Sequence, residues 1–570
     1  MNYEFKIFCT FAAIMRKFVI FVTLLYIGAL ATFAQPTIVK TEMRAVWLTV
    51  IGGIDWPRTH ATNEATMRQQ QQELCRTLDQ LQAANINCVL MHTRVRASVI
   101  YPSNIEPYCE YLTGKTGKSP GYDPLQFCID ECHKRGMQCH AWVVTLPVGK
   151  WNSPATKQLR QKMPNVIKKI GDEGFMNPER PETAEYLARI CREITERYDI
   201  DGIHLDYIRY PETWKITIPR AEGRKHITHI VSTIRAAVKS IKPWVMYSCS
   251  PIGKFDDLPR FSSKGWNAYS KVCQDAQGWL EDGLMDALFP MMYFKGDHFY
   301  PFAVDWGQHT SGRIVAGGLG TYMLDKHQQN WSIDIMKREM YVLRSLGLGH
   351  AHFRSKFFTD NTKGIYDFSV EEFDRYPALV PPMTWERAEI PAAPATLTVS
   401  GNTLSWSAVP VSQSYTLYNV YASEVTPVDT DDPRNLIASR VMGTQLTLDT
   451  QPSTLNPQHY AVTAVDRFGN EGPARQDVGT TANRQPSTLN APPSTLNTQP
   501  STLPTDGTWL TIPEGFSEAE YIAIETLQGT IVATFQNSRH INISQLPQGI
   551  YLVKTLNAQG NTRRIGILKK

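Results

Sequence analysis

The residues best suited to chemistry stand in one stretch, Asp201-Gly-Ile-His-Leu-Asp206-Tyr-Ile-Arg-Tyr-Pro-Glu212. Its apolar alternation predicts a strand over residues 201–208, and Pro211 stops it. In such a strand Ile203, Leu205 and Tyr207 face one way and His204 and Asp206 the other. A carboxylate turned to the inside of a sheet is costly unless it has a partner or a task. Two carboxyls, one protonated and one ionised, perform general acid and base catalysis. Asp206 is the first candidate, and its structural alternative is pairing with Arg209 or His204. Asp297, just beyond Met291-Met292-Tyr293, is the first choice of partner. Asp256, Asp257 and Glu212 are further acids on the same side. Asp201, at the strand's opposite end, reads as a turn or cap residue, and Asp275 as the start of a helix over 276–281.

Flat apolar faces beside hydrogen-bonding groups are what a ligand cleft requires. Trp47, Trp142, Tyr207, Tyr210 and Tyr293 all fall at or near predicted carboxyl ends of strands, and each could equally be core. Arg94 and Arg209 could bind hydroxyls or a carboxylated ligand, or form structural salt bridges. His140 and His204 read as hydrogen-bonding residues of the cleft wall. A second chemistry is possible with His92, His140, His204, His350, His352 and Asp206, which could hold a metal and its bound water. Metal-dependent barrel amidohydrolases carry His-x-His on the first strand, where this chain has Trp47-Leu48-Thr49. No metal and no cofactor is therefore expected.

These residues must be held by a repeating scaffold. Strands are predicted over 44–50, 86–95, 137–146, 201–208, 244–250, 285–294, 313–320 and 349–356. Helical periodicity occupies 66–84, 125–135, 183–198, 224–241 and 333–346. This rhythm predicts an α/β fold, a (β/α)₈ TIM-like barrel followed by two small β-sandwich domains. A doubly wound sheet is the alternative, but no glycine-rich phosphate turn follows the first strand. The long connections 101–123 and 251–283 would emerge at the carboxyl face, where barrel enzymes build their sites.

The 570 residues are too many for one domain, and 42% hydrophobic with 20% charged residues is ordinary for folded protein. A net charge of +4 gives no reason to expect a nucleic-acid partner. Arg16 and Lys17 precede an apolar run over 18–31, and Thr32-Phe33-Ala34 supplies a small-residue cut, so residues 1–34 read as an export signal with Met1 or Met15 as the start. The run is short for a membrane span, and none is expected. Beyond that leader all cysteines lie between Cys75 and Cys273 in segments that read as core. Cys128 and Cys132, four apart on a helix face, read as filler, because no companion set has zinc-ligand spacing.

The expected organisation is a catalytic domain over 35–390, a β-domain over 391–483, a linker over 484–506 and a final β-domain over 507–570. The linker repeats Gln-Pro-Ser-Thr-Leu, cannot bury a core and acts as a spacer. A copy at 451–456 reads as a loop insertion. Trp406, the Tyr415 strand and the segment from Tyr460 to Glu471 resemble a fibronectin type III domain. Leu546-Pro-Gln-Gly549-Ile-Tyr551 with the basic end Arg563-Arg564 to Lys569-Lys570 resembles the carboxy-terminal sorting domain of type IX secretion substrates. That resemblance implies the type IX machinery as a partner and the cell surface or exterior as the location, or the periplasm if the sorting reading fails.

The barrel carries a resemblance of its own. Tyr101-Pro-Ser-Asn-Ile-Glu-Pro107, Gly121-Tyr-Asp-Pro-Leu125, His133-Lys-Arg-Gly-Met-Gln-Cys-His-Ala-Trp142, the Asp201–Pro211 stretch and Gln274 through Tyr293 occur in that order. Together they resemble the glycosyl hydrolase-like 10 family over about residues 42–380. The resemblance implies a (β/α)₈ fold and hydrolysis of a glycan, with bacterial cell-wall strands among the suggested substrates. Glycoside cleavage uses two carboxyls flanking the bond, for which Asp206 and Asp297 are the expected pair. A surface glycan-binding protein without turnover is the non-enzymatic alternative.

Overall fold

The computed structural model of the chain describes residues 38–386, 389–412, 414–448, 459–477, 509–511, 521–526, 531–536, 540–544, 546, 550–556 and 562–569. The leader over 1–34, the repeat at 451–456 and the linker over 484–506 lie outside the described residues.

Eight parallel strands close into a barrel: β1 Arg44–Leu48, β2 Cys88–Arg94, β3 Gln138–Val144, β4 Gly202–Asp206, β5 Met246–Cys249, β6 Ala287–Leu288, β7 Ile314–Leu319 and β8 Gly349–His352. Each pairs with its neighbours in the chain, and β8 pairs with β1 to close the ring. The pleat sorts the side chains. Val46, Val89, Ile203 and Leu205 join the core beneath the helices, whereas Trp47, Leu90, Trp142 and Phe289 fill the interior. Removing so much apolar surface from water on both faces drives closure. The helices begin as their sequences dictate. Asn63 and Thr66 form a capping box for Glu64–Ala83, and Pro124 and Pro181 each open a helix at its first turn.

Three details depart from the sequence expectation. The sixth strand is only two residues, because Pro290 lacks an N–H, and isolated bridges at Met291 continue the alignment. The eighth strand stops at His352, and Ser355–Thr359 is helical. An antiparallel sheet of Pro147–Lys150, Glu173–Met176 and Ile167–Ile170 is inserted after β3. Its strands are too short to show a clear period.

Beyond the barrel, Leu397–Ser400, Thr403–Trp406 and Gln445–Thr447 form one antiparallel sheet. Leu436–Met442, Leu417–Ser423, His459–Val465 and Arg475–Gln476 form another, and Leu404, Trp406, Val420 and Val462 pack between the two. This sandwich seals the amino-terminal end of the barrel. Phe468 and Met383 join the interior cluster, and Asp201 is the hub of the polar contacts. Its Oδ1 meets Arg440 Nη2 at 2.5 Å and Arg467 Nη2 at 3.4 Å, and its Oδ2 meets His133 Nε2 at 2.8 Å. Burial alone would raise this carboxyl, yet Arg440, His133 and Arg467 hold it well below the usual aspartate range. Asp201 is thus an interdomain ion-pair residue rather than a plain turn residue.

The unit over 481–570 has its own core, in which Leu510, Ile522, Ile524, Ile541 and Val553 are buried. Ile531–Gln536, Tyr521–Thr526, Ile550–Leu556 and Thr562–Lys569 form a four-stranded sheet, and Trp509–Thr511 pairs with His540–Asn542. Among the described residues no helix is long and apolar enough to cross a membrane.

Candidate active site

Strand β4 delivers Asp206 to the carboxyl end of the barrel, on the inner face with His204. The next residue, Tyr207, has φ +54°, the left-handed region that a tyrosine rarely adopts. This ends the strand and reverses the alternation. Tyr207 turns to the interior cluster rather than outward with Ile203 and Leu205, which corrects the alternation expected from the sequence.

Asp206 is only 6% exposed, and each carboxylate oxygen has one donor. Trp142 Nε1 donates to Oδ2 at 3.2 Å, and the Tyr207 amide donates to Oδ1 at 2.7 Å. Arg209 Nη1 stands 3.9 Å from Oδ1. Burial dominates and pushes the carboxyl above the usual aspartate value, while Arg209 and the two donors offset part of the rise. Arg209 then reaches a second acid, with Nη2 donating to Glu212 Oε1 at 2.8 Å. There Arg209 outweighs burial and holds the Glu212 carboxyl below its usual value. The guanidinium lies 4.1 Å over the Tyr207 ring.

Beneath Asp206 is a neutral polar floor. Trp47 Nε1 donates to His204 Nε2 at 3.2 Å, and Ser250 Oγ lies 2.6 Å from the same nitrogen. An indole can only donate, so Nε2 accepts and Nδ1 carries the proton towards Ser248 Oγ at 3.0 Å. Burial holds His204 neutral, well below its ordinary pKa. Beside this floor His92 stacks on Trp142, with centroids 4.1 Å apart at 20°, and its Nδ1 meets Thr49 Oγ1 at 3.0 Å. Burial lowers the His92 pKa to about 3. Tyr293 stacks on Phe353 at 5.4 Å and 27°, making a flat aromatic pair beyond β6 and β8. Arg209 Nε and Nη1, His92 Nε2 and the Tyr293 hydroxyl are buried and find no hydrogen-bond partner among the described residues.

Residues 42–311 match the Glycosyl hydrolase-like 10 family model. The chain is also similar to the glycosyl hydrolase YngK of Bacillus subtilis (strain 168), at 28% identity over 475 residues, covering 76% of this chain and 92% of that protein. Its identity to the glycosyl hydrolase DigH of Escherichia coli (strain K12) is 32% over 287 residues, covering 44% of this chain and 65% of DigH. Among solved structures, alpha-L-fucosidase isoenzyme 2 from Paenibacillus thiaminolyticus superposes with a TM-score of 0.40 at 15% identity, covering 58% of this chain and 49% of that one.

Within the region that matches Glycosyl hydrolase-like 10, the residues expected to bind substrate divide into two groups. Trp47, Trp142, His204, Tyr207, Arg209 and Tyr293 surround Asp206 as described above. Arg94 does not. It is fully buried, clamps Glu106 with Nε at 2.9 Å and Nη2 at 2.7 Å, and donates to the carbonyls of Val144 and Thr145. With its donors spent inside the protein it fastens the 101–123 connection to β3. Tyr210 is also fully buried, packed edge-on against Trp214 at 5.7 Å in the outer core. His140 lies deeper than the mouth, two residues below Trp142, with Nε2 2.9 Å from Gln138 Oε1. Its ring covers Gly202, where a Cβ would come within 2.5 Å, so only glycine fits there. His350 and His352 face outward, against Phe373 and Phe358, and cannot join Asp206 in a metal site.

Asp297 stands exposed on the turn Gly296–His298 that follows β6. The acid tied to Asp206 through a shared cation is Glu212. Two participants carry little sequence signal. Ser250 sits at the end of a buried apolar strand, and Phe353 reads simply as core, whereas His92, singled out in the sequence as a metal-ligand candidate, packs on Trp142 instead. A groove of about 1110 Å³ runs between helix Pro124–Lys134 and strand Leu436–Met442, at the opposite end of the barrel. Asp206 and the residues around it do not line that groove.

Proposed function

We propose that the barrel is a glycoside hydrolase acting on a glycan strand, with Asp206 as the general acid and Glu212 as its ionised partner. The observation that carries this reading is geometric: one guanidinium, Arg209, stands between two carboxyls, with Nη1 3.9 Å from Asp206 Oδ1 and Nη2 2.8 Å from Glu212 Oε1. Burial raises Asp206 and Arg209 lowers Glu212, the directions an acid and an ionised partner need. Asp206 would protonate the leaving glycosidic oxygen, and Glu212 would activate water or attack directly. Neutral His204 holds Trp47 in place without competing for the proton, and neutral His92 keeps Nε2 free of any partner among the described residues. Tyr293 on Phe353 offers a flat face for a sugar ring. Leaving a buried donor unsatisfied costs about 1–3 kcal/mol, so sugar hydroxyls that meet Arg209 and Tyr293 would be bound favourably. The match to Glycosyl hydrolase-like 10 and the glycosyl hydrolase names of YngK and DigH support the reaction class.

We further propose that residues 1–34 direct export, that the 391–483 sandwich is a fibronectin type III-like spacer, and that the 507–570 unit engages the type IX secretion machinery. The substrate would then be an extracellular or cell-wall polysaccharide, such as a peptidoglycan glycan strand.

The test is to incubate the purified chain with denuded peptidoglycan strands and a panel of polysaccharides and to measure new reducing ends. Release by the unmodified chain and loss of at least about a hundredfold in Asp206→Asn, with glycan binding retained, is expected. Unchanged turnover in Asp206→Asn removes that residue from catalysis. Glycan binding without any cleavage by the unmodified chain assigns a binding role instead. Parallel Glu212→Gln and Asp297→Asn variants decide which acid is the partner.

A further inference from the structure

Helix Pro124–Lys134 carries Cys128 and Cys132 on one face, one turn apart, and sets them against Cys139 on the outer face of β3. The sulfurs form a tight triangle. Cys128 Sγ is 4.0 Å from Cys132 Sγ and 3.9 Å from Cys139 Sγ, and all three lie within 4.8 Å of one another. Each side chain is 0% exposed. The i, i+4 pair is visible in the sequence, but the third thiol joins it only because the outward pleat of β3 meets that helix face.

We propose that Cys128, Cys132 and Cys139 form a site for one soft monovalent cation of the Cu(I) class, bound by three thiolates. The dimensions carry the inference. With two edges of 3.9 and 4.0 Å and the third no longer than 4.8 Å, an ion at the centre of the triangle lies roughly 2.3–2.5 Å from each sulfur, close to the length of a metal–thiolate bond. Three sulfurs already at that spacing need little rearrangement to close on an ion. A disulfide, by contrast, requires two of them to approach to about 2.05 Å.

Coordination number selects the ion. Among the described residues no histidine nitrogen or carboxylate oxygen completes the group, and full burial keeps water from a fourth position. Structural zinc takes four protein ligands, whereas Cu(I) is matched to soft sulfur donors. Binding is an exchange without electron transfer. Cu⁺ forms three Cu–S bonds, and the three thiol protons pass to solvent. Because the sulfurs are enclosed by the helix and the strand, the ion enters as these elements pack, and it ties them together. The site is on the outer side of β3, away from Asp206, and does not rest on the proposed hydrolase activity.

The experiment uses the full chain, unfolded and refolded without oxygen in a phosphine reductant, with Cu(I) supplied against a colorimetric Cu(I) chelator. One equivalent retained per chain, a sulfur-only shell at about 2.3 Å by X-ray absorption and a higher melting temperature are expected. Cys128→Ser and Cys139→Ser should each lose the retained equivalent, whereas Cys191→Ser and Cys249→Ser should keep it. Retention in Cys128→Ser, a shell with nitrogen or oxygen ligands, or no copper held by the unmodified chain would overturn the proposal. So would a Cys128–Cys139 disulfide in the chain as isolated. If the serine variants do not fold, the absorption measurement on the unmodified chain decides by itself.

Discussion

Trp142 Nε1 donates to Asp206 Oδ2 across 3.2 Å, so an aromatic side chain on β3 both covers the buried acid and hydrogen-bonds to it. The bond favours the ionised form and opposes the desolvation that keeps the proton on. Removing the donor should therefore raise the pKa of Asp206. In Trp142→Phe the alkaline limb of kcat/KM, where a general acid loses its proton, should move to higher pH. A limb that stays in place or moves to lower pH would separate Trp142 from the acid.

Glu212 acts in the opposite sense. Its negative charge raises the pKa of Asp206. Glu212→Gln should shift the alkaline limb to lower pH and, if Glu212 is the base, reduce kcat by about 10²–10⁴-fold. The opposite shifts in Trp142→Phe and Glu212→Gln, measured in one buffer series, form a paired test of the site.

Asp201 bears on stability rather than catalysis. Asp201→Asn leaves Arg440 and part of the Arg467 guanidinium without their buried counter-charge. Breaking such a pair costs about 3–5 kcal/mol, which should appear as a lower midpoint in urea. The folded pKa of Asp201 is depressed, so its stabilisation is present above the ordinary aspartate value and is lost as pH falls through the folded pKa. The unmodified chain should lose stability in acid, and the difference from Asp201→Asn should narrow there. A constant difference down to pH 2 would contradict this assignment.

Glu339 shows the reverse linkage. It is 0% exposed on helix Ile333–Ser345, both its oxygens find no partner among the described residues, and burial raises its pKa to about 9. A raised acid destabilises the fold as pH climbs from its unfolded value, near 4.5, to its folded one. Glu339→Met should raise the melting temperature more at pH 8 than at pH 5. An equal gain at both values would show that the carboxyl is not titrating in this range.

Local geometry made much of this protein readable in one dimension. The period-2 pattern of Ile203, His204, Leu205 and Asp206 is a property of the extended backbone. It placed the acid inward at a strand's carboxyl end without knowledge of any neighbour, and the same periodicity repeated along the chain announced the barrel. Other roles depend on partners that packing brings from far away. Arg94 could be a ligand-binding cation until Glu106 closes on it, and Tyr210 could be a platform until Trp214 and the outer core cover it. Tyr207 reverses its facing through one left-handed dihedral. Asp201 reads as a turn residue because Arg440, its counter-ion, stands 239 positions later. The sequence alone determined which backbone presents Asp206. Tertiary structure decided which charges surround it and which are spent elsewhere, because burial and ion pairing depend on distances in space that chain separation does not encode.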